Sequence, residues 1–450
     1  MNRYLYRFIC AIIMVALATA GFTYVWIKFV SVNNQTGHLT GLANILMAVG
    51  IYAVLFFIAG RWSNAFRIGV ERKAKMVAST VIAVGVTDFL EVFISLAITG
   101  QFRFFFDFLW RYVLLGLVQA LALCILVVLM IDLYRKIIPP LSVLEIVGAH
   151  DNHLARALNQ IPHKYSVNTT VSYDDPALMN KLDDYDAVLI NDIPAEQHNI
   201  ILKKCFENNK RVYTVPKISD ILIKSSDNIS LVDTPLFLCR NLGISEWQLA
   251  FKRAGDLFCS VLALIVLSPV FLITAIAIKL EDGGPVFYRQ ERVTLNEKRF
   301  MILKFRSMIV DAEKDGKPRP AGEKDDRITK VGHVIRACRV DELPQLINII
   351  KGEMSIVGPR PERWEHVEKY KQEIPEFAYR YKVKGGLTGY AQVFGKYNTS
   401  ALDKLKLDLM YITNYRLLLD VQIIFETVKI LFIKDSTEGF EESKIEEMHG

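Results

Sequence analysis

The first third of the chain carries four apolar runs, each long enough to cross the hydrocarbon core of a membrane. A transmembrane helix needs about 20 apolar residues to span about 30 Å. The runs lie at Tyr6–Val30, Leu39–Ala59, Met76–Thr99 and Tyr112–Leu133. With 52 % apolar and 23 % charged residues, the 450-residue chain is too apolar for an ordinary soluble protein and too charged for one lying wholly in lipid. We therefore expect membrane helices joined to extramembrane domains.

Basic residues flank these runs on one side of the membrane. They are Arg3 and Arg7 before the first run, Arg61, Arg67, Arg72, Lys73 and Lys75 between the second and third, and Arg135 and Lys136 after the fourth. By the positive-inside rule, the N-terminus, the middle loop and everything after Arg135 face the cytoplasm. This clustering suits lipid headgroups and phosphates better than nucleic acid. Ala18-Thr19-Ala20 resembles a signal-peptidase site, but the run continues through Ile27, which favours an uncleaved anchor.

Short strands alternate with helices after Pro139-Pro140. The strands are expected at Val143–Gly148, Tyr165–Tyr173, Asp186–Asn191 and Arg211–Pro216, with helices at Asn152–Gln160 and Glu196–Asn209. Such alternation predicts a parallel, Rossmann-like sheet. The first strand-to-helix turn, at residues 148–152, lacks the three-glycine phosphate fingerprint. A Rossmann-like domain that binds no ligand is therefore favoured, and a domain that senses a ligand remains the alternative.

A fifth apolar run, Leu257–Leu280, has basic residues on both of its flanks. A full crossing would place the rest of the chain outside. Ser268-Pro269 lies near the middle of the run, where proline removes a backbone hydrogen bond and kinks a helix. A re-entrant helix at residues 251–282, which bends and returns to the same face, satisfies both observations. The alternative is a kinked helix that spans.

The cysteines and histidines do not indicate a metal or redox site. The six cysteines show no C-x-x-C spacing, and the eight histidines include no His-x-x-x-His pair. Catalysis in this chain is therefore expected to use carboxylates and cations.

Asp341-Glu342 is a pair of adjacent carboxylates followed by Pro344. Since proline is tolerated in the first turn of a helix, a helix is expected from Glu342 to Lys351, capped by Gly352. Neighbouring helical residues point about 100° apart, so one carboxylate can attack phosphorus while the other holds a divalent cation. The alternative is that the two acids have no catalytic role and only stabilise the helix by their interaction with the positive end of its dipole.

Pro359-Arg360-Pro361 places an arginine on a stiff backbone, because each proline restricts its own φ and the preceding residue. A rigid guanidinium matches the oxygens of a phosphate. Lys304, Arg306 and Arg336 could add charge for a diphosphate. The polar loop Asp311–Lys324 looks mobile. A lone Pro-Arg-Pro is often only a turn, but beside the acidic pair the binding interpretation is the better one.

From about Phe251 to Phe432 the chain resembles the bacterial sugar transferases, the polyprenyl-phosphate hexose-1-phosphate transferases. The residues that carry the resemblance are the Ser-Pro break, Lys304–Met308, Asp326–Thr329, Asp341–Gln345, Pro359–Pro361 and Gly386–Gly389. The preceding segments are similar in placement to those of the large family members. The resemblance implies a membrane protein with α and α/β parts. These parts are a four-helix transmembrane bundle (1–138), a Rossmann-like domain (139–245) and a monotopic, mainly α catalytic domain (246–450).

The resemblance also implies roles for individual residues. Asp341 would attack the sugar-linked phosphate of a UDP-sugar and release UMP, Glu342 would help to bind Mg²⁺, and undecaprenyl phosphate would then take the phosphosugar. Arg360, held by Pro359, would clamp phosphate. The remaining expected substrate contacts are Lys304, Arg306, Asp326, Arg327, Arg336, Asp408 and Tyr411.

Two other functions fit the sequence less well. A processive glycosyltransferase is disfavoured because the last domain has no Asp-x-Asp after a strand, and a non-catalytic scaffold of a polysaccharide assembly complex is disfavoured by the intact acidic pair. Glucose or galactose is the expected donor sugar, for exopolysaccharide or capsule synthesis. Membrane lipid is an expected partner, contacted by amphipathic stretches such as Arg363–Lys384. A homodimer through the bundle or the Rossmann-like part is a further expectation.

Overall fold

A computed structural model describes residues 2–32, 41–148, 154–239, 244–310, 312, 325–395 and 399–431. The chain divides into two compact units, residues 1–216 and 217–450. The first unit therefore contains both the apolar helices and the first α/β segment. The expected boundaries after residues 138 and 245 stay predictions.

Four helices form the apolar part of the first unit. They are α1 (Arg3–Val25, continued by a π-helical turn at Trp26–Val30), α2 (Leu42–Trp62), α3 (Lys73–Thr99) and α4 (Phe105–Ile137, preceded by a 3-10 turn at Phe102–Phe104). By length and composition all four can cross a membrane, which confirms the four predicted runs. Aromatic rings fill the interior, with Phe22 stacked on Tyr52 at a centroid distance of 4.2 Å.

The α/β segment contains a four-stranded sheet in the order β2-β1-β3-β4, in which every neighbouring pair is parallel. The strands are β1 (Leu141–Val147), β2 (Tyr165–Ser172), β3 (Ala187–Asn191) and β4 (Arg211–Thr214). Helices α5 (Leu154–Asn159), α6 (Leu178–Lys181) and α7 (Ala195–Glu207) connect them. All five residues of β3 are buried, as expected for a central strand covered on both faces. Of the turn at residues 148–152, only Gly148 lies within the described residues.

The second unit begins with helix α8 (Ile218–Lys224) and a hairpin of β5 (Asp227–Leu231) and β6 (Thr234–Leu238). The fifth apolar run forms two helices, α9 (Glu246–Val266) and α10 (Ser268–Asp282), which meet at an angle of 61°. The bend lies at the predicted Ser268-Pro269 step. Pro269 occupies the first turn of α10, and the Ser268 hydroxyl donates a hydrogen bond to the carbonyl of Ile265 at 2.8 Å.

The rest of this unit is mainly helical and surrounds two small sheets. An antiparallel hairpin joins β7 (Phe287–Val293) to β8 (Arg299–Phe305), and β9 (Ser355–Val357) pairs in parallel with β10 (Gly386–Thr388). The helices are α11 (Lys330–Ala337), α12 (Gln345–Lys351), α13 (Trp364–Glu373), α14 (Tyr390–Phe394), α15 (Ala401–Thr413) and α16 (Leu417–Leu431). The expected amphipathic stretch Arg363–Lys384 comprises α13 and a 3-10 helix, Pro375–Lys382.

Candidate active site

The acidic pair lies on a short 3-10 turn, Val340–Glu342, and not in the first turn of an α-helix. Helix α12 starts only at Gln345, with Pro344 as its N-cap, so the predicted start at Glu342 was wrong, whereas the predicted end at Lys351 and the left-handed Gly352 cap are present. Arg339, which enters the turn, has a φ of 56°, a conformation that is unfavourable for a residue with a side chain. The chain thus reverses sharply before the two acids, which a helix start would not require.

Glu342 is held between two cations. Its Oε1 accepts a hydrogen bond from Lys304 Nζ at 2.9 Å and another from Arg360 Nη2 at 2.8 Å. Glu342 and Lys304 are 12 % and 19 % exposed, while Arg360 is 41 % exposed and can still reach a ligand from solvent. Three segments that are far apart in sequence therefore meet at one carboxylate oxygen.

Asp341 differs from its neighbour. Within the described residues its carboxylate makes no hydrogen bond or ion pair. Burial raises the pKa of Asp341, although the charges of Lys304 and Arg336 act in the opposite direction. Burial also disfavours the charged form of Glu342, but Arg360 and Lys304 outweigh it and hold the pKa of Glu342 well below its usual range. Two adjacent acids with pKa values pushed apart are suited to different roles.

Side chains and tight backbone turns fix these residues in place. Asn348 of α12 accepts a hydrogen bond from Leu303 N and donates one to Met301 O, both at 2.9 Å, which ties the acidic turn to the strand that carries Lys304. Gly358 enters the Pro-Arg-Pro segment so closely to its neighbours that a Cβ there would lie 2.3 Å from Lys384 O. Its position is therefore restricted to glycine by contact rather than by φ.

A small recess opens beside the ion pairs. It is lined by Arg292, Ile302, Lys304, Gln345, Arg360, Pro361, Gly386 and Leu387. Arg292 was missed from the sequence, where nothing in its spacing distinguishes it from neighbouring charged residues. Burial lowers the pKa of Arg292 to about 10, so it remains charged at neutral pH. With Lys304 and Arg360 it gives the recess three cations, which suits a phosphate-bearing ligand.

Comparison with known proteins finds matches over the part of the chain that contains this site. A family described as bacterial sugar transferase matches residues 247–434. A UDP-glucose:undecaprenyl-phosphate glucose-1-phosphate transferase of Caulobacter vibrioides is 40 % identical over 191 residues, which cover 41 % of this chain and 71 % of that protein.

The chain belongs to the bacterial sugar transferase family. Two further relatives are similar over about half of this chain. A UDP-N-acetylgalactosamine-undecaprenyl-phosphate N-acetylgalactosaminephosphotransferase of Aeromonas hydrophila is 38 % identical over 262 residues, 55 % of this chain and 59 % of that protein. A UDP-glucose:undecaprenyl-phosphate glucose-1-phosphate transferase of Klebsiella pneumoniae is 42 % identical over 230 residues, 50 % of this chain and 49 % of that protein. The chain thus spans about half the length of such relatives.

In this sugar transferase, the structure brings five of the predicted site residues together. Asp341, Glu342, Lys304 and Arg360 form the cluster described above, and Arg336 of α11 is close enough to Asp341 to act on its charge. Pro359 accepts a hydrogen bond at its carbonyl from Gly386 N at 2.9 Å, which holds the Pro-Arg-Pro segment against β10.

Other predicted contacts lie in separate clusters. Arg306 is 6 % exposed and is bound to Asp282 and to the carbonyl of Pro285, so its guanidinium supports the end of α10. Arg327 pairs with Asp325 at 2.8 Å, and Asp326 lies in the same turn. The expected loop Asp311–Lys324 lies outside the described residues except for residue 312.

Asp408 and Tyr411 are each 1 % exposed and bind other side chains, so their predicted role as substrate contacts stays a prediction. Asp408 pairs with Arg380 at 2.7 Å, and Arg380 donates a hydrogen bond to the carbonyl of Arg360 at 3.0 Å. The Tyr411 hydroxyl donates to Asp420 at 2.7 Å. Asp408 is therefore connected to the backbone of Arg360 through Arg380.

The expected ligand for Mg²⁺ is Glu342, beside Asp341. No group of three or more His, Cys, Asp or Glu side chains is gathered in the described part of the chain. Mg²⁺, however, often takes only one or two protein carboxylates and completes its shell with substrate phosphates and water. Asp341 has a free carboxylate, and both ion pairs of Glu342 use the same oxygen, so the residues fit a cation that arrives with a phosphate ligand.

The Asp408–Arg380 pair predicts a pH-dependent effect on stability. Burial raises the pKa of Asp408 to about 6, even though Arg380 faces it. Because the charged form is less favourable in the folded than in the unfolded protein, the wild type should lose about 1 to 2 kcal/mol of stability as pH rises from 5 to 8. Asp408→Asn cannot titrate and should not show this loss, so its stability relative to wild type should be lower at pH 5 than at pH 8.

Thermal unfolding of both proteins in nanodiscs at the two pH values measures this difference. Asp403→Asn, an exposed change on the same helix, is the matched control. An equal effect of Asp408→Asn at pH 5 and pH 8 would contradict the assignment.

Proposed function

We propose that this protein transfers a hexose 1-phosphate from a UDP-sugar to undecaprenyl phosphate and releases UMP, as the first step of exopolysaccharide or capsule synthesis. The observation that carries the proposal is the unpaired carboxylate of Asp341, next to Glu342, which pairs with two of the three cations that line the recess. Relatives named as undecaprenyl-phosphate sugar phosphotransferases support it. They act on glucose in some cases and on N-acetylgalactosamine in another, so the donor is proposed at the level of a UDP-hexose.

In the first step, a carboxylate oxygen of Asp341 attacks the sugar-linked phosphorus. A bond from this oxygen to phosphorus forms, and the bond from phosphorus to the bridging oxygen of the diphosphate breaks. UMP leaves with the bridging oxygen and its electron pair. Lys304, Arg360 and Arg292 neutralise the diphosphate, which lets an anionic nucleophile approach.

In the second step, a phosphate oxygen of undecaprenyl phosphate attacks the same phosphorus. The bond to Asp341 breaks, the carboxylate is regenerated, and the product is a diphosphate-linked sugar on the lipid. Arg360 is suited to hold the incoming phosphate as well, because its guanidinium is partly exposed. Each step makes and breaks one bond to phosphorus.

Mg²⁺ is proposed as the cofactor, held in part by Glu342. When bound, it would reduce the negative charge on the phosphates. The low pKa of Glu342 supports this role, because a permanently ionised carboxylate is available at every physiological pH. Glu342 also orients Lys304 and Arg360 by binding both.

The membrane arrangement is also a proposal. The bent pair α9–α10 would enter and leave the same, cytoplasmic face of the inner membrane, which brings the site to the depth of the lipid phosphate. The 61° bend and the exposed apolar residues on both helices, such as Phe258 and Leu272, support it. We further propose that the parallel sheet is a Rossmann-like domain. The homodimer stays a prediction.

Asp341→Asn should reduce turnover by at least about 10³-fold, because an amide is not a nucleophile. The assay contains membranes, undecaprenyl phosphate, Mg²⁺ and UDP-glucose, UDP-galactose or UDP-N-acetylgalactosamine, with UMP and UDP measured separately. Glu373→Gln, an exposed acid on α13, should keep wild-type turnover.

The covalent step has its own readout. A donor with radioactive phosphorus next to the sugar should label wild type and Glu373→Gln but not Asp341→Asn. Product formation without any labelled protein would exclude the aspartyl intermediate, and release of UDP in place of UMP would indicate glycosyl transfer.

The raised pKa of Asp341 predicts the acid limb of the pH–rate profile. Since attack requires the carboxylate, kcat/KM should fall as pH drops through a pKa higher than that of an exposed aspartate. Lys304→Met removes a charge that lowers this pKa and should move the limb to higher pH. Lys304→Arg keeps the charge and should leave the limb near its wild-type position. A limb that stays in place in Lys304→Met would assign the titration to another group.

The bend at Ser268-Pro269 predicts the side on which the chain ends. Reporters fused after Gly450 should lie on the same side as the N-terminus in wild type. Ser268→Ala with Pro269→Leu restores a backbone donor and favours a straight helix, so part of the population should place the reporter on the opposite side. Ser268→Ala alone keeps the proline and serves as the control. A wild-type reporter on the opposite side would refute the re-entrant arrangement.

A further inference from the structure

Two acids lie inside the four-helix bundle, on one face of α3. Asp88 is 4 % exposed and Glu91 is 0 % exposed. Residues three apart share a helix face. Asp88 lies about 23 Å along the helix from Lys73 and about 17 Å from Thr99, at a rise of about 1.5 Å per residue. If α3 spans the membrane, both acids lie within the hydrocarbon core.

The protein neutralises little of their charge. The Tyr52 hydroxyl lies 2.9 Å from Asp88 Oδ1 and 3.0 Å from Gln119 Oε1, but it has one proton to donate between them. Asp88 Oδ2 and both carboxylate oxygens of Glu91 are buried without a hydrogen-bond partner. Several oxygens thus converge with no donor to satisfy them.

No lysine or arginine of the described bundle forms an ion pair with either acid. Lys73 pairs with Asp132 at 2.5 Å, and the guanidinium of Arg111 lies over the ring of Phe29 at 4.0 Å. Both cations are therefore committed elsewhere. Buried carboxylates without compensation are strongly unfavourable, and at membrane depth they usually indicate a functional site.

We propose that Asp88 and Glu91 bind a small, hard cation inside the bundle, with the Tyr52 and Gln119 oxygens as further ligands. A proton would remove one charge but would leave oxygens without a partner. A cation satisfies several oxygens at once, and an all-oxygen donor set selects ions such as Na⁺, Mg²⁺ or Ca²⁺. This site is separate from the catalytic chemistry proposed for Asp341.

Gly116 of α4 supports the inference and supplies a test. A Cβ at this position would lie 2.8 Å from Asp88 Oδ2. The glycine therefore leaves the space that this oxygen occupies. Gly116→Ala keeps both charges but crowds one ligand, whereas Glu91→Gln removes a charge and keeps the shape.

The experiment measures thermal unfolding of the full-length protein in nanodiscs at pH 8, with NaCl, MgCl₂ or CaCl₂ and with choline chloride at equal ionic strength. In wild type, at least one cation should raise Tm by about 3 °C or more over choline. Glu91→Gln should lose this shift, while Asp341→Asn, at the catalytic site, should keep it. Gly116→Ala should need a roughly tenfold higher concentration of the cation for half of the shift.

A shift that is lost in Glu91→Gln and kept in Asp341→Asn supports the bundle site, and the salt that produces it identifies the ion. Equal shifts in wild type and Glu91→Gln, or no difference between the three salts and choline, overturn the proposal. If Glu91→Gln does not fold, the concentration dependence of Gly116→Ala decides, because an unchanged midpoint also overturns it. Loss of sugar transfer in Asp341→Asn with a retained Tm shift separates this inference from the proposed function.

Discussion

The arrangement of the candidate site depends on Glu342, whose Oε1 binds both Lys304 and Arg360. This contact joins β8, the acidic turn and the Pro-Arg-Pro segment. The two cations keep Glu342 ionised by lowering its pKa against the effect of burial. Asp341, one residue away, receives no such contact, and its pKa moves in the opposite direction. One neighbour therefore organises the site while the other remains free to react.

The surrounding structure limits how far these groups can move. Asn348 ties α12 to β8, and Arg380 holds the backbone of Arg360 while it pairs with Asp408. Arg253 of α9 donates hydrogen bonds to the carbonyls of Ile349 and Ile350 at 2.6 and 2.7 Å, at the C-terminal end of α12. The apolar helix that would lie in the membrane is thus attached directly to the helix that follows the acids. Preorganisation of this kind lets charges act on a substrate without rearrangement.

The sequence predicted those structural features that depend only on residues close together in the chain. The four apolar runs, the Ser268-Pro269 bend and the Gly352 cap each follow from the residues in one segment. The 3-10 turn at Val340–Glu342 could not be predicted in this way, because it depends on the left-handed backbone conformation of Arg339. The partners of Arg306 and Asp408 were missed for a related reason. Asp282 and Arg380 lie 24 and 28 residues away, and sequence spacing carries no information about such ion pairs. The sequence therefore predicted Arg306 and Asp408 as substrate contacts, whereas in the structure both are buried and paired with other side chains.

Buried acids in the second unit have paired cations, which the buried acids of the bundle lack. Glu342, Asp408 and Asp420 each face a cation, at 2.9, 2.7 and 2.6 Å respectively. Each pair offsets the penalty for removing charge from water within the chain itself. The pair Asp88–Glu91 has no such cation among the described residues. Asp341 makes no direct ion pair there either, although Lys304 and Arg336 act on its charge, which suits a nucleophile whose own oxygen must reach a phosphate. In the bundle no substrate chemistry explains the missing cation, and an ion from solution is the remaining source of the compensating charge.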